Sequence, residues 1–244
     1  MGQLDTHIRV KLVGSSKAKP GESIFTSSGV FTVPKGVKEI EVFIVGGGST
    51  NDNHNGGGGG YTKTQKCAIS EGCIGIAIAA GGSIINRITT SPGITTISTN
   101  ETIKTAQASG RNGGSGGGAS AYFGTSVGGS DGGNGPTVTF IDTENYYTKY
   151  EASGGTGQGT TTRAFEEPDG TLYAGGGGGG AGWVGGGPWG SSGGSGGGGN
   201  GGTHFAGILS TSGSPNTGGG GGGYTGYENS IEGGSGIAII RWGY

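Results

Sequence analysis

The stretch AGGGGGGAGWVGGG, residues 174–187, contains the longest of several glycine runs, and the fold depends on how these runs are interpreted. Glycine makes up 67 of the 244 residues, without the strict repeat of collagen, whereas an average protein contains roughly 7% glycine. Ordering a glycine costs about 0.5–1 kcal/mol more than ordering an alanine, because the unfolded glycine backbone has more freedom to lose. Either the runs are flexible, or nearly every glycine lies where a side chain does not fit.

The overall composition favours an ordered chain. Charged residues are 12%, aromatic residues are 8% and the formal net charge is −2, whereas disordered chains are rich in charge and poor in aromatic residues. A flexible glycine-serine linker is the alternative interpretation of the runs. The charge balance gives no electrostatic footprint for nucleic acid, and no apolar stretch has the length of a signal peptide or a spanning helix. We therefore expect no nucleic-acid partner and no membrane insertion.

Between the runs, the sequence has the pattern of β-strands. Alternating or short apolar segments predict strands at 31–33, 40–45, 61–67, 74–80, 94–98, 102–108 and 237–242. No segment combines helical periodicity with good helix formers, so almost no α-helix is expected. The last strand is the best candidate partner for the early ones, which predicts that both ends of the chain meet in one sheet. Cys67 and Cys73 lie on the arms of a predicted hairpin but not opposite one another, so we expect reduced thiols rather than a disulfide.

The glycine runs have similar lengths, which indicates one shared structural unit. They lie at 56–60, 113–118, 128–135, 154–159, 175–187, 193–202, 218–223 and 233–236. Glycine adopts the polyproline II helix, with about three residues per turn and about 3.1 Å of rise, and this helix has no internal hydrogen bonds. Runs laid side by side pair their backbone groups with one another, and a Cβ at such a contact would force the backbones apart.

These patterns predict an all-β protein with a small β-sandwich base and a bundle of packed polyglycine II helices. We assign residues 1–23, which are polar and basic, to an N-terminal arm that serves for attachment. Residues 24–109 plus 237–244 form the predicted β-sandwich base, and residues 110–236 form the predicted glycine-rich bundle with its loops.

Four segments resemble the glycine-rich domain of phage tail and fibre proteins. They are GVFTVPKGV at 29–37, VFIVGGG at 42–48, GGGYTKT at 58–64 and GGSGIAIIR at 233–241. More loosely, the chain is similar to the adhesins at the tips of long tail fibres, in which polyglycine helices pack as a sandwich and loops contact the host. The resemblance implies a virion protein, assembled in the bacterial host cytoplasm, that recognises a host receptor. Its implied partners are other virion proteins, bound through the arm or the β-domain, and a host surface glycan or protein.

No pattern in the sequence indicates catalysis, a cofactor or a metal. The match to G-x-G-x-x-G at 180–185 lacks the flanking strand and helix of a dinucleotide site, and the G-x-S-x-G matches around Ser115, Ser130 and Ser195 lack the strand–helix context of a nucleophile. The three histidines lack metal-ligand spacing. Glu166 and Glu167 precede a Pro-Asp-Gly turn and are interpreted as solvated loop residues. We therefore predict a non-enzymatic protein.

Aromatic residues in the breaks between runs are the candidate receptor contacts, because aromatic side chains offer large contact areas at low entropic cost. The candidates are Trp183, Trp189, His204, Phe205 and Tyr227. The alternative is that these side chains only cover the ends and sides of the bundle. The leading functional hypothesis is a host-receptor adhesin or fibre-tip module, and the second is a purely architectural tail or baseplate component. An ice-binding bundle is a weaker third hypothesis, because the threonines cluster in loops.

Overall fold

The computed structural model describes residues 18–51, 54–85, 88–120, 126–139, 151–159, 162–181, 190–203, 207–223 and 230–244. In chain order the strands are β1 (Gly21–Phe25), β2 (Gly29–Thr32), β3 (Glu39–Val45), β4 (Thr62–Ala68), β5 (Cys73–Ala77), β6 (Ser83–Ile85), β7 (Ile88–Thr90), β8 (Thr96–Ser98), β9 (Ile103–Lys104), β10 (Val138–Thr139), β11 (Glu151–Ala152), β12 (Ser230–Glu232) and β13 (Ile237–Trp242). The described part of the chain contains no α-helix, only a 3-10 turn at Ala164–Glu166. The all-β prediction is confirmed. No described helix has the length and apolar character needed to cross a membrane.

Two four-stranded antiparallel sheets form the base. Sheet 1 has the strand order β1-β13-β3-β4, and sheet 2 has the order β2-β5-β8-β9. The last strand lies between β1 and β3, with Ile239 paired to Ile24 on one side and to Phe43 on the other. The prediction that the two ends of the chain meet in one sheet is therefore confirmed.

The central strands of sheet 1, β3 and β13, bury side chains on both faces. Val42, Ile44 and Ile240 face sheet 2, where they pack in a core with residues such as Ile74 and Ile97. On the opposite face a second cluster contains Phe43, Val45, Phe165, Ala174, Ile237 and Ile239. Because successive strand residues point to opposite faces, the apolar runs of β3 and β13 supply both clusters at once.

The glycine bundle has the hydrogen-bond pattern of a threefold helix, as run 175–181 shows. Successive amides of this run donate to three different neighbours, and every third amide returns to the same one. Gly175, Gly178 and Ala181 donate to Gly196, Gly199 and Gly202, Gly176 and Gly179 donate to Ser130 and Val127, and Gly177 and Gly180 donate to Gly57 and His54. A period of three is that of polyglycine II, so the hydrogen bonds confirm the predicted packing.

Two neighbouring runs in the bundle each have a complete ring of six neighbours. Through donated and accepted backbone bonds, run 175–181 contacts runs 54–60, 113–120, 126–130, 190–195, 196–203 and 218–223. Run 218–223 contacts runs 46–51, 54–60, 175–181, 196–203, 208–214 and 231–236 in the same way. Runs that follow one another around each ring are also hydrogen-bonded to each other. This hexagonal packing pairs the backbone polar groups of runs that are buried on all sides.

The structure corrects the boundaries of several runs. The predicted run 193–202 is two antiparallel runs joined by a turn at Gly196 and Gly197, whose φ angles of 90° and 95° a continuing polyproline II helix does not have. Runs 46–51 and 54–60 lie in the bundle, although they fall within the predicted base at residues 24–109. Run 208–214 was missed, because this outer run carries exposed side chains such as Thr211 and Ser212.

The hairpin predicted for the two cysteines is wrong. Cys67 lies on β4 in sheet 1 and Cys73 on β5 in sheet 2, so the turn at 70–72 connects two sheets rather than two paired strands. Both thiols are free, as expected. Burial, followed by the nearby charges of Glu39 and Glu101, raises the pKa of the Cys67 thiol.

Candidate recognition surface

One end of the bundle rests on sheet 1, because three runs are direct continuations of its strands. Run 46–51 follows β3, run 54–60 precedes β4 and run 231–236 precedes β13. At this end the Gly60 amide donates to the Gly218 carbonyl at 2.6 Å, and the Gly218 amide donates to the Ser235 carbonyl at 2.8 Å. The six-residue runs carry the chain about 20 Å away from the sheet, at about 3.1 Å per residue.

The opposite end of the bundle is here called the distal pole, and it comprises Asn51, Asn55, Ser120, Ala181, Thr203 and Gly223. Hydrogen bonds join neighbouring runs at this level. The Ser120 amide donates to Asn55 Oδ1 at 2.9 Å, the Ala181 amide donates to the Gly202 carbonyl at 2.9 Å, and the Gly202 amide donates to the Gly223 carbonyl at 3.2 Å. Most of these runs therefore end in register, which gives the bundle a defined end surface.

The first and last described residues lie at the other extreme of the molecule. Strand β13 begins beside the bundle at Ile237 and ends at Trp242, which pairs with Gly21. Trp242 Nε1 donates to the Lys19 carbonyl at 2.9 Å. Residues 18–20 and 242–244 thus lie at the edge of sheet 1 that is farthest from the distal pole. The described molecule therefore has two opposite ends. These residues lie at one end, and the ends of the runs at the distal pole lie at the other.

All five candidate receptor contacts, Trp183, Trp189, His204, Phe205 and Tyr227, lie outside the described residues. The described residues on either side of them belong to the distal pole or its immediate neighbourhood. Ala181 and Gly190 flank the segment with the two tryptophans, Thr203 and Gly207 flank the segment with His204 and Phe205, and Gly223 and Ser230 flank the segment with Tyr227. The connections that carry the candidates therefore leave from, and return to, the same end of the bundle.

Two aliphatic residues beside the distal pole are exposed, and sequence reasoning missed them. Ile208 is 51% exposed and Leu209 is 56% exposed, whereas the next residue, Ser210, is buried. The Thr203 amide donates to the Ile208 carbonyl at 2.8 Å, which fixes this pair against the end of run 196–203. An apolar pair between Gly207 and Ser210 was the available signal, but the predicted contacts were only aromatic residues and one histidine.

A small polar cleft of about 140 Å³ lies on the side of the molecule, between β4, Gln158 and the 3-10 turn. Three of its lining residues bond to other protein groups. Thr62 Oγ1 donates to Gln158 Oε1 at 2.9 Å, and Arg163 Nη1 donates to the Gly170 carbonyl at 2.8 Å. Glu166 and Glu167 are exposed, in agreement with their interpretation as solvated loop residues, and Glu167 also pairs with Arg241 at 2.6 Å while being 53% exposed. These hydrogen bonds and this ion pair join neighbouring segments of the chain and stabilise the fold.

The serines of the G-x-S-x-G matches bond within the bundle. Ser115 is fully buried, and its Oγ accepts the Gly132 amide at 2.6 Å. Ser130 Oγ donates to the Gly133 carbonyl at 2.7 Å. Ser195 hydrogen-bonds to Asp131, whose carboxyl pKa is raised by burial against the lowering effects of this bond and of Arg163. No cluster of potential metal ligands occurs among the described residues.

The comparisons with known proteins identify one family. A family model described as a glycine-rich domain matches residues 26–243, which is nearly the whole chain. No curated protein matches the sequence. The matched range includes both the sandwich and the bundle, so the two parts together correspond to the family's domain.

Proposed function

This chain belongs to the family of glycine-rich domains, and we propose that it is a tail or fibre protein of a phage virion that acts as a host-receptor adhesin or fibre-tip module. In this proposal the distal pole and its connections contact a host surface protein or glycan. The opposite extreme of the base, with the N-terminal arm, attaches to other virion proteins. The protein is assembled in the bacterial host cytoplasm and functions in the virion.

The observation that carries this proposal is the arrangement of the molecule between two opposite ends. The connections containing the aromatic candidates all start and finish at one end of a rigid bundle, and residues 18–20 and 242–244 lie at the other end. Binding residues are commonly found on loops that a rigid scaffold positions. Hexagonal packing keeps the described ends of the runs at fixed spacings.

The exposed pair Ile208 and Leu209 supports a contact surface at the distal pole. Scattered exposed apolar residues are normal on proteins, but here two adjacent ones lie beside the segment that contains His204 and Phe205. Two adjacent exposed apolar side chains offer a partner apolar area to bury.

The exposed apolar residues of the base favour the second candidate function, a purely architectural component. Ile24 on β1 is 58% exposed and Val30 on β2 is 60% exposed. These strands are the edge strands of sheet 1 and sheet 2. A protein that contacts only other virion components would use this region and would need no binding at the distal pole.

The test is attachment of the purified full chain to intact cells and envelope fractions of the bacterium from which the gene or its phage is recovered. We expect binding, and we expect alanine at each of the five candidates to weaken it, with hot-spot losses on the order of 2 kcal/mol. The double variant Ile208→Ser/Leu209→Ser should also bind more weakly. Ile94→Ser, which changes an aliphatic residue of the base that is 39% exposed, is the matched control.

Melting temperatures separate recognition from stability. The adhesin proposal expects binding to fall while melting stays nearly unchanged in the distal-pole variants. If the wild-type protein binds no envelope fraction, and the variants fail instead in stability or particle assembly, the architectural function replaces it.

A further inference from the structure

The bundle contains four Asn-Gly dipeptides, at 55–56, 112–113, 134–135 and 200–201. Asn-Gly is usually the dipeptide most prone to deamidation, because glycine offers no side chain to hinder attack by its own nitrogen on the preceding amide. Asn-Gly is also a strong signal for a hairpin turn. Neither property explains why all four dipeptides occur in the glycine runs or at their ends.

Each of the four asparagines bonds through Oδ1 to the backbone of a neighbouring run. The bonds are Ser120 N to Asn55 Oδ1 at 2.9 Å, Thr156 N to Asn112 Oδ1 at 2.6 Å, Gly157 N to Asn134 Oδ1 at 2.9 Å and Gly193 N to Asn200 Oδ1 at 2.9 Å. The side-chain oxygen therefore takes the place of a main-chain carbonyl in the lattice.

The glycine after each asparagine bonds to the same neighbouring run. The bonds are Gly56 N to Gly118 O at 3.1 Å, Gly113 N to Thr156 O at 3.2 Å, Gly135 N to Gly155 O at 2.6 Å and Gly201 N to Ser191 O at 2.9 Å. At 55–56, 134–135 and 200–201 the donor to the asparagine lies two residues after the acceptor from the glycine. At 112–113, Thr156 supplies both groups.

We propose that these Asn-Gly dipeptides are lateral clamps between polyglycine helices, and that the clamp bonds prevent their deamidation while the bundle is closed. A clamp uses one side-chain oxygen and one backbone amide to hold an adjacent run at two points. Because this geometry recurs at four separate places, we assign the pairing the same structural role at each, which is to hold an adjacent run. It also explains how a chain with four reactive dipeptides maintains a regular lattice over time.

The chemistry of deamidation shows why the clamp blocks it. The glycine nitrogen loses its proton and forms a bond to the asparagine Cγ, ammonia leaves, and water opens the resulting succinimide to aspartate or isoaspartate. In the clamp the glycine N–H is hydrogen-bonded to a carbonyl, and the Oδ1 bond holds Cγ towards the neighbouring run. Ring closure requires both bonds to break. The product would carry a carboxylate in place of the neutral side-chain amide, and in isoaspartate also an additional backbone carbon, at a point that holds a neighbouring run.

The first test is peptide-level mass spectrometry of the full chain, incubated in mildly alkaline buffer either natively or in urea. We expect native deamidation at all four dipeptides to be at least about tenfold slower than in urea. A local opening free energy of about 1.4 kcal/mol is enough for that factor. Equal native and unfolded rates at these sites would overturn the proposal.

The second test removes one clamp bond. Thr156→Pro deletes the N–H that binds Asn112 Oδ1, and proline is compatible with polyproline II backbone. Thr156→Ala keeps the N–H and is the matched control. We expect Asn112 to deamidate several-fold faster in the proline variant than in the alanine variant, with rates at Asn55 and Asn200 unchanged. Equal rates at Asn112 in two folded variants would show that the clamp bond does not protect it.

Discussion

At the scale of single residues, glycine in this protein is a steric requirement. A Cβ on Gly177 would lie 2.0 Å from the Gly221 carbonyl oxygen, and a Cβ on Gly178 would lie 1.9 Å from the Ser191 carbonyl oxygen. Both obstacles are backbone atoms of other runs, which cannot rotate away as a flexible side chain does. The sequence predicted this requirement from the uninterrupted run at 175–180. It did not identify the neighbour that each glycine touches, because that depends on the order of the runs in the lattice.

Replacing Gly177 by alanine is expected to destabilise the protein by at least about 1–3 kcal/mol, the range found for overpacked cores. Alanine would normally stabilise a flexible segment by restricting the unfolded chain, so the sign distinguishes a packed lattice from a linker. Gly133→Ala is the matched control, because a Cβ at Gly133 meets nothing within 4 Å. Thermal denaturation of both variants checks this prediction. A melting temperature of Gly177→Ala equal to or above that of the wild type would contradict it.

At the scale of elements, the alternating pattern of the sequence predicted β3, β4, β5 and β13 well. The strands predicted at 94–98 and 102–108 correspond to β8 and β9, which form a short antiparallel ladder. The three-stranded sheet of β12, β6 and β7 was not predicted. Its strands are only three residues long, too short for periodicity to reveal. Phe165 and Ala174 cover the outer face of sheet 1. This contact was also not predicted, because these residues are far from β3 and β13 in the sequence.

Arg241 attaches the segment with the 3-10 turn to sheet 1. It bonds to Glu41 Oε2 at 2.6 Å and to Glu167 Oε1 at 2.6 Å, and its guanidinium lies 3.8 Å from the centre of the Phe165 ring. The side chains of Arg241 and Glu41 are only 15% and 16% exposed. The Glu41 pair is therefore weakly screened by solvent, whereas the Glu167 pair is more exposed and contributes less.

Arg241→Gln is expected to lower the free energy of unfolding by roughly 1.5–3 kcal/mol, the range for hydrogen bonds to charged groups. The reason is that Glu41 loses its cationic partner and Phe165 loses a stacked neighbour. Lys104→Gln removes an exposed cation from β9 of sheet 2 and serves as the control, with little expected change. Urea denaturation of the two variants measures the difference. Equal stabilities of the two variants would show that Arg241 does not hold this segment in place.

At the scale of the whole molecule, the base and the bundle are interlaced along the chain. The chain leaves β3 into run 46–51, returns through run 54–60 to β4, and enters β13 from run 231–236. The sequence predicted both architectures and the return of the last strand. It could not predict the interlacing, because short runs beside strands resemble ordinary loops until their neighbours in space are known. The five candidate contacts lie outside the described residues, so they stay predictions.

Interlacing predicts that the glycine-rich segment does not fold alone. A fragment of residues 110–236 lacks run 54–60, which contacts both fully surrounded runs, and run 46–51, which contacts run 218–223. Both rings of six neighbours would be incomplete, and the buried amides and carbonyls that face the gaps would lose their hydrogen-bond partners. Each buried group left without a partner costs about 1–3 kcal/mol. We expect rapid hydrogen exchange at the glycine amides of the fragment, whereas the same amides in the full chain are protected until it unfolds in one cooperative transition. Protected glycine amides in the isolated fragment would instead mean that the bundle is an independent domain, as the division of the sequence at residue 110 suggested.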